Sequence, residues 1–283
     1  MLNNTVIINI KIRKIQELRV IQAIAETNFA ISVSKKQAFK LAPLKEFFKM
    51  NYKLDEENGL NLSDLMKINH DKPETYIGKL NKPLIFPHAI PSHCKSLWVT
   101  KKTHRYTFAG LITKHRSDLI KNWIANNIKG DLSDIPITDS FKNKLRNKLF
   151  KLLNMDNTIC KKIGNLIIWS STRGRVFPEK SWDDDYFKVL ANSEFVLCPS
   201  GVCIWSYRFF ESILCGAIPI VEKNCEAYEG FKFKYMEETA EKFIWSKEDA
   251  EHNYNLCLER ITLPLNVLEQ ELKEVFTNYQ KAN

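Results

Sequence analysis

No run of apolar residues in this 283-residue chain approaches the roughly 20 residues that a membrane-spanning helix needs. The longest, Thr5 to Ile10 and Ala217 to Val221, are far shorter, and the N-terminus has no basic region followed by a long apolar core. We therefore expect neither a membrane anchor nor a secretion signal. Internal repeats and low-complexity tracts are also missing, and 44% hydrophobic with 27% charged residues is typical of one large or two modest globular domains.

Closely spaced cysteines are missing as well. The seven cysteines form no Cys-x-x-Cys pair and no Cys/His cluster with ligand spacing, which argues against a zinc site. Four of them lie in or beside apolar runs, where a thiol behaves as a small hydrophobe. An odd number without close pairs favours a reduced compartment. We expect a cytoplasmic protein, one that could also lie peripherally at the inner face of the membrane.

Positive charge is in excess. The chain has 42 Lys+Arg against 33 Asp+Glu, a formal charge of +9, which favours an anionic membrane face, phosphorylated small molecules or nucleic acid as partners. Lysines scattered through 35–53 and 142–162 supply much of the excess and also fit the solvated faces of surface helices. The segment FKFKY keeps nucleic-acid binding as an alternative function, but such residues are dispersed here. We expect no nucleic-acid partner.

Strand and helix patterns alternate through most of the chain, which predicts a parallel sheet with helices on both faces. The predicted elements of the second half include a strand at Tyr106–Gly110, a helix capped near Ser117, and a helix over Ser206–Cys215. Four prolines between Pro73 and Pro91 predict a break in regular structure. We accordingly divide the chain into an N-terminal domain at 1–96, a second domain at 97–262, and a C-terminal helix at 263–283.

The segment EFVLCPSGVCIWSYRFFESILCGAIPIV carries the clearest chemistry. Its first strand leads to the sheet edge where ligands bind in open parallel sheets. There Gly201 lets backbone amides approach a ligand, and the helix that starts near Ser206 directs its positive dipole end at the same place. Arg208 in the first turn suggests an anion in front of it, and Glu211, one turn deeper, can accept hydrogen bonds from a hydroxylated group. The alternative is an i,i+3 ion pair on a surface helix.

The same segment resembles the signature region of exostosin-like glycosyltransferases. The matching residues are Phe195-Val196-Leu197-Cys198-Pro199, Gly201, the Ser206-x-Arg208-x-x-Glu211 spacing, and Gly216-Ala217-Ile218-Pro219-Ile220. Earlier in the chain, Phe108-Ala109-Gly110 and Arg116 match the family's first strand end and following arginine. Tyr186-Phe187 matches its aromatic-led helix.

This resemblance implies an α/β protein of two Rossmann-like halves (GT-B type), with an abbreviated N-terminal half and C-terminal helices. Residues 1–96 would form the acceptor-side domain and 97–262 the nucleotide-sugar-binding Rossmann-like domain, and the helix at 263–283 would pack back toward the N-terminal half. Arg208 would then face the diphosphate of a nucleotide-sugar donor, Glu211 the ribose and Arg116 the phosphates, with Gly110, Gly201 and Ser206 beside them. Arg173 and Arg175, on a loop at the same edge, are further candidates. The enzyme would need no cofactor and no metal, and its acceptor would be a glycan or lipid-linked saccharide of a surface polysaccharide. An α1,3-fucosyltransferase-like enzyme is the alternative, although its Glu-Lys donor pair is not visible.

Two features leave the mechanism open. Asp183-x-Asp185 has the form of a metal-binding Asp-x-Asp motif, but its place before a helix favours capping. An inverting transfer needs a general base, and the sequence singles out none of its candidates, which are His88, His93, His104, His115 and Asp183 to Asp185.

Overall fold

The computed structural model describes residues 5–8, 12, 14–54, 60–69, 71–128, 135, 145, 149, 153, 158–171, 182–201 and 203–282. By its internal contacts the chain divides into two units. The first contains Met1–Ser92, Phe177–Trp182 and Leu258–Asn283, and the second contains His93–Val176 and Asp183–Cys257. None of the helices in the described ranges is both long and apolar enough to cross a membrane.

The first unit holds two small sheets. One is parallel, in the order β2-β1-β3, and the other is an antiparallel meander in the order β4-β5-β6. Its elements are β1 (Thr5–Ile8), α1 (Ile15–Ala25), β2 (Ala30–Val33), α2 (Lys35–Phe48), β3 (Leu60–Asn61), α3 (Leu62–Leu65), β4 (Met66–Asn69), β5 (Glu74–Ile77) and β6 (Leu80–Lys82). A further helix, α4 (Ala89–Ser96), extends into the second unit.

The C-terminal segment belongs to the first unit. The ring of Phe276 on the last helix stacks on Phe29, with centroids 5.3 Å apart. Glu269 accepts hydrogen bonds from the backbone and side chain of Asn28, and Glu271 accepts one from the backbone N–H of Lys79. Residues far apart in the sequence therefore form one packed unit.

The second unit is built on a six-stranded sheet in the order β12-β11-β10-β7-β9-β8. All neighbouring strands are parallel except β8 and β9. Its strands are β7 (His104–Ala109), β8 (Thr158–Ile163), β9 (Leu166–Ser171), β10 (Ser193–Cys198), β11 (Ile218–Val221) and β12 (Lys234–Tyr235). The later helices of the chain are α5 (Lys114–Asn127), α6 (Asp184–Ala191), α7 (Tyr207–Leu214), α8 (Lys247–Ile261) and α9 (Leu265–Ala282).

The central strands are apolar because both faces of the sheet are covered. Phe195 and Leu197 of β10 are fully buried, and the ring of Tyr106 on β7 packs edge-on against Trp123 of α5 at 4.9 Å. Near-continuous apolar strands are expected of a parallel sheet with helices on its two faces. The α/β class that the alternating pattern predicted is thus confirmed.

Three sequence predictions are corrected. Helix α5 begins at Lys114, and Thr113 rather than Ser117 caps it. The sheet is mixed, because β8 and β9 form an antiparallel hairpin at its edge. The proline-rich stretch contains β5, β6 and α4 instead of a break. Pro91 lies in the first turn of α4, where the missing N–H leaves no intrahelical bond unmade.

Candidate active site

Three adjacent parallel strands of the second unit, β7, β10 and β11, end at the same edge of the sheet. Their last residues are Ala109, Cys198 and Val221. The segments that follow these ends, together with the first turns of α5 and α7, carry the polar side chains discussed below. The fold therefore gathers them at the carboxyl edge, where open parallel sheets bind ligands.

Arg208 is buried at this edge. Its side chain is 7% exposed, its Nε donates to the backbone oxygen of Ala109 at 2.5 Å, and its guanidinium carbon lies 4.4 Å from the centroid of the Phe108 ring. Gly110 has a φ of +139°, and a Cβ there would collide with Nη2 of Arg208. Among the described residues, Nη1 of Arg208 has no hydrogen-bond partner.

Glu211 lies one turn further along α7 and has no exposed surface. Its Oε2 accepts a hydrogen bond of 2.9 Å from the hydroxyl of Tyr186 on α6. The interpretation of Arg208 and Glu211 as an ion pair on a surface helix is therefore wrong, because both side chains are buried. As it stands, the carboxylate orients Tyr186 and joins α6 to α7.

Arg116, on the first turn of α5, donates hydrogen bonds to two backbone oxygens. Its Nε donates to the backbone oxygen of Ser200 at 3.2 Å and its Nη1 to that of Leu111 at 3.1 Å. A Cβ at Gly201 would lie 2.7 Å from Nη2. Burial, followed by the positive charge of Arg208, lowers the pKa of Arg116 to about 10. The two guanidinium groups are thus close enough to repel each other.

Arg116 and Arg208, called here the carboxyl-edge arginines, bond to backbone oxygens that carry no formal charge. Within the described ranges, neither forms an ion pair with a carboxylate. Ser206, which precedes α7, is 8% exposed, and its hydroxyl also has no partner among the described residues. Buried polar groups are normally satisfied, so this edge holds positive charge and hydrogen-bond donors that an anion would complete.

A second cluster of polar side chains lies at the same edge, and the sequence predicted only one of its members as a site residue. The hydroxyl of Ser200 donates to Oε2 of Glu222 in a short hydrogen bond. Nε2 of His115 lies 3.4 Å from Oγ of Ser200 and 3.6 Å from Oε2 of Glu222. Sequence reasoning named His115 but missed Glu222, although its position directly after β11 could have indicated it.

The remaining candidates have structural contacts. His88 belongs to the first unit, and its Nε2 donates to the backbone oxygen of Leu263 at 2.7 Å. His93 pairs with Asp184 at 2.7 Å, and His104 lies 3.5 Å from the hydroxyl of Thr103. Arg173 and Arg175 lie outside the described residues.

The three consecutive acids after Trp182 each have a defined environment. Asp183 caps α6, as predicted, because its Oδ1 accepts from the backbone N–H of Tyr186 at 3.2 Å. Burial opposes ionisation of Asp184, but hydrogen bonds from Lys188 and His93 outweigh it and lower its pKa. Asp185 is mostly exposed beside Lys188. Across the described part of the chain, no group of three or more His, Cys, Asp or Glu side chains could hold a metal ion.

A comparison with protein families returns one match. The family model described as the RXYLT1 C-terminal domain matches residues 137–281, just over half of the chain. The matched range contains Ser200, Arg208, Glu211 and Glu222, whereas His115 and Arg116 precede it. No curated protein matches the chain.

Proposed function

We propose, since the chain belongs to the RXYLT1 C-terminal domain family of glycosyltransferases, that the carboxyl edge of the second unit binds the diphosphate of a nucleotide-sugar donor. The observation that carries this proposal is the pair of carboxyl-edge arginines: Arg208 is buried and Arg116 half-buried, and neither has a carboxylate partner in the described ranges. A diphosphate would supply the missing negative charge and the missing hydrogen-bond acceptors.

The chemistry of glycosyl transfer explains why such a site would be useful. When the sugar leaves, negative charge develops on the phosphate oxygen of the departing nucleotide. Guanidinium groups fixed by the fold stabilise that charge without reorganising as it forms. Gly201 gives the phosphates close access to Arg116, and the N-terminal end of α7 adds its dipole. With this charge supplied by arginine, we propose a transfer that requires no bound metal.

The finer assignments follow the motif rather than the family match. The Ser206-x-Arg208-x-x-Glu211 spacing and the Gly216 to Ile220 strand support an exostosin-like donor half of the GT-B type. The transferred sugar would be a pentose or hexose, and the acceptor a hydroxyl of a glycan or lipid-linked saccharide in surface polysaccharide synthesis. Because Glu211 is fully buried against Tyr186, we give it a positioning role instead of direct contact with the ribose.

A thermal-shift screen tests the proposal. The protein is heated with UDP, GDP, CMP and ADP sugars, each with and without chelator, and one nucleotide class should raise the melting temperature by mass action. Arg116→Gln and Arg208→Gln should each weaken that ligand at least tenfold, equivalent to the loss of about 1.4 kcal/mol of binding energy. Chelator should change nothing.

Arg105→Gln is the matched control. Arg105 lies at the start of β7, at the opposite edge of the sheet, and already pairs with Glu194. Its loss can lower the melting temperature but should leave the nucleotide-induced shift intact. If no nucleotide sugar stabilises the wild-type protein, or if the three variants respond alike, the carboxyl-edge arginines do not form a donor site.

A further inference from the structure

His115, Ser200 and Glu222 come from three separate segments. Ser200 follows β10, Glu222 follows β11, and His115 is the second residue of α5, after β7. Their side-chain atoms meet within 3.6 Å at the carboxyl edge. This juxtaposition depends on the sheet, because nothing in the local sequence brings the three together.

The hydrogen-bond pattern fixes the tautomer of His115. A carboxylate only accepts hydrogen bonds, so the hydroxyl proton of Ser200 points to Glu222. Both atoms near Nε2 of His115, Oγ of Ser200 and Oε2 of Glu222, can then only accept from the ring. In the neutral imidazole Nε2 therefore carries the proton, and Nδ1 keeps its lone pair.

That lone pair is available. The His115 side chain is 55% exposed, and in the described part of the chain no group bonds to Nδ1. Glu222 is only 20% exposed, so its charge is partly shielded from water and can stabilise the imidazolium that forms when Nδ1 takes a proton. A carboxylate that orients an imidazole and supports its charge is a recurrent design for a general base.

The cluster is also joined to the proposed donor site. The backbone oxygen of Ser200 accepts from Nε of Arg116, while its hydroxyl holds Glu222. His115 and Arg116 are consecutive on α5, so their side chains leave the helix about 100° apart. Arg116 can thus contact the diphosphate of the donor while His115 addresses a different molecule, the acceptor.

We propose that His115, oriented by Glu222 and Ser200, is the general base of the transfer. This inference rests on the proposed function. The acceptor oxygen attacks the anomeric carbon with its lone pair, and the bond from that carbon to the diphosphate oxygen breaks, its electron pair leaving with the nucleotide. The hydroxyl proton passes to Nδ1 of His115, which later releases it to solvent. The products are the glycoside, with inverted anomeric configuration, and the nucleoside diphosphate.

The test uses water as the acceptor, because water needs the same base and no acceptor has to be known. The donor is the nucleotide sugar that gives the largest thermal shift, and release of the nucleoside diphosphate is followed. His115→Ala should lower kcat about a hundredfold or more, the usual contribution of a general base, and leave donor binding unchanged. Added imidazole should restore part of the rate in proportion to its concentration, since the site of His115 is open to solvent.

Glu222→Gln and Ser200→Ala test the positioning residues. Each should lower kcat with little change in KM for the donor. Imidazole should not rescue Glu222→Gln, because the His115 ring is still present in that variant. His252→Ala is the matched control. His252 is an exposed histidine of the same unit that donates to the backbone oxygen of Gly230, and its removal should leave the rate unchanged with or without imidazole.

The outcomes distinguish this proposal from the proposed donor site on which it rests. If no nucleotide sugar stabilises or is turned over by the wild-type protein, the donor site itself is wrong. If the wild-type protein is active, the base assignment fails when His115→Ala keeps its kcat or is not rescued by imidazole. It fails equally when Glu222→Gln raises KM alone, which would assign Glu222 to the ribose instead.

Discussion

Lys102 should make the stability of this protein rise with pH in the alkaline range. It lies just before β7, at the sheet edge opposite the arginines, and its Nζ donates to the backbone oxygens of Ala191 at 2.7 Å and Cys215 at 3.2 Å. The Nζ also lies within 6 Å of two indole rings, those of Trp98 and Trp245. Burial in these surroundings lowers its pKa from 10.5 to about 8.

The size and sign of this pH effect on stability follow from the pKa shift of Lys102. Each pKa unit corresponds to about 1.4 kcal/mol, so the charged form of Lys102 destabilises the folded state by about 3 kcal/mol. Below the folded pKa both states are protonated and the full penalty applies. Between the folded and unfolded pKa values only the unfolded chain holds the proton, so the penalty disappears as pH rises through this window.

The assay is urea unfolding of the wild-type protein and Lys102→Met from about pH 7 to about pH 10.5. The wild-type protein should gain about 3 kcal/mol relative to the variant across this range. Lys101→Met, at the exposed neighbouring position, is the control and should keep a constant difference from the wild-type protein. A pH-independent difference for Lys102→Met would show that the ammonium is not destabilised by its surroundings.

Three further substitutions test local packing in the second unit. Gly216→Ala should destabilise the protein by about 2–4 kcal/mol in urea, because φ is +74° there and the new Cβ would lie 2.6 Å from the Trp98 ring; a loss below about 1 kcal/mol would contradict this. Tyr186→Phe should remove about 1–3 kcal/mol by depriving the buried Glu211 carboxylate of a donor, and a double-mutant cycle with Glu211→Gln should show coupling above about 0.5 kcal/mol. Asp183→Ala should lower stability by about 0.5–2 kcal/mol through loss of the α6 cap, whereas the exposed Asp185→Ala should change it by less than about 0.5 kcal/mol.

The order of elements in the second unit could be predicted because apolar spacing is a local property of the sequence. The helix over Tyr207–Leu214 lies within one residue of its predicted position at Ser206–Cys215, and the strand over His104–Ala109 lies within two residues of its predicted position at Tyr106–Gly110. Once strands and helices alternate, the topology indicates that a ligand binds at the carboxyl edge of the sheet. This much of the candidate site was therefore accessible from the sequence.

The direction of the strands was harder to predict from the sequence, although one local sequence signal indicated it. Strands β8 and β9 are joined by Gly164 and Asn165, and Gly164 has a φ of +56°. A two-residue Gly-Asn connection between apolar runs indicates a hairpin. No strand was predicted over Thr158–Ile163, and the antiparallel edge was missed for that reason.

Burial of the site residues could not be read from the sequence, since a first-turn arginine on an exposed helix and one under a loop have the same spacing. The contacts of Arg208 with Ala109 and Phe108, and of Glu211 with Tyr186, join segments 25 to about 100 residues apart. The same holds for Glu222, whose partners His115 and Ser200 come from other segments. Long-range packing decides which charged side chains lie inside.

The arginines at the two edges of the six-stranded sheet have different hydrogen-bond partners. Arg105, at the amino end of β7, pairs with Glu194 at the start of the neighbouring strand. Arg208, buried at the carboxyl end of the same strand, bonds only to a backbone oxygen among its described neighbours, and Arg116 beside it does likewise. An uncompensated buried charge is strongly destabilising, so the fold gains no stability from burying Arg208 unpaired with the half-buried Arg116 beside it. A methionine in place of Arg208 would fill similar space without that penalty. The proposed donor site would account for this arrangement, because a bound diphosphate would supply the missing negative charge.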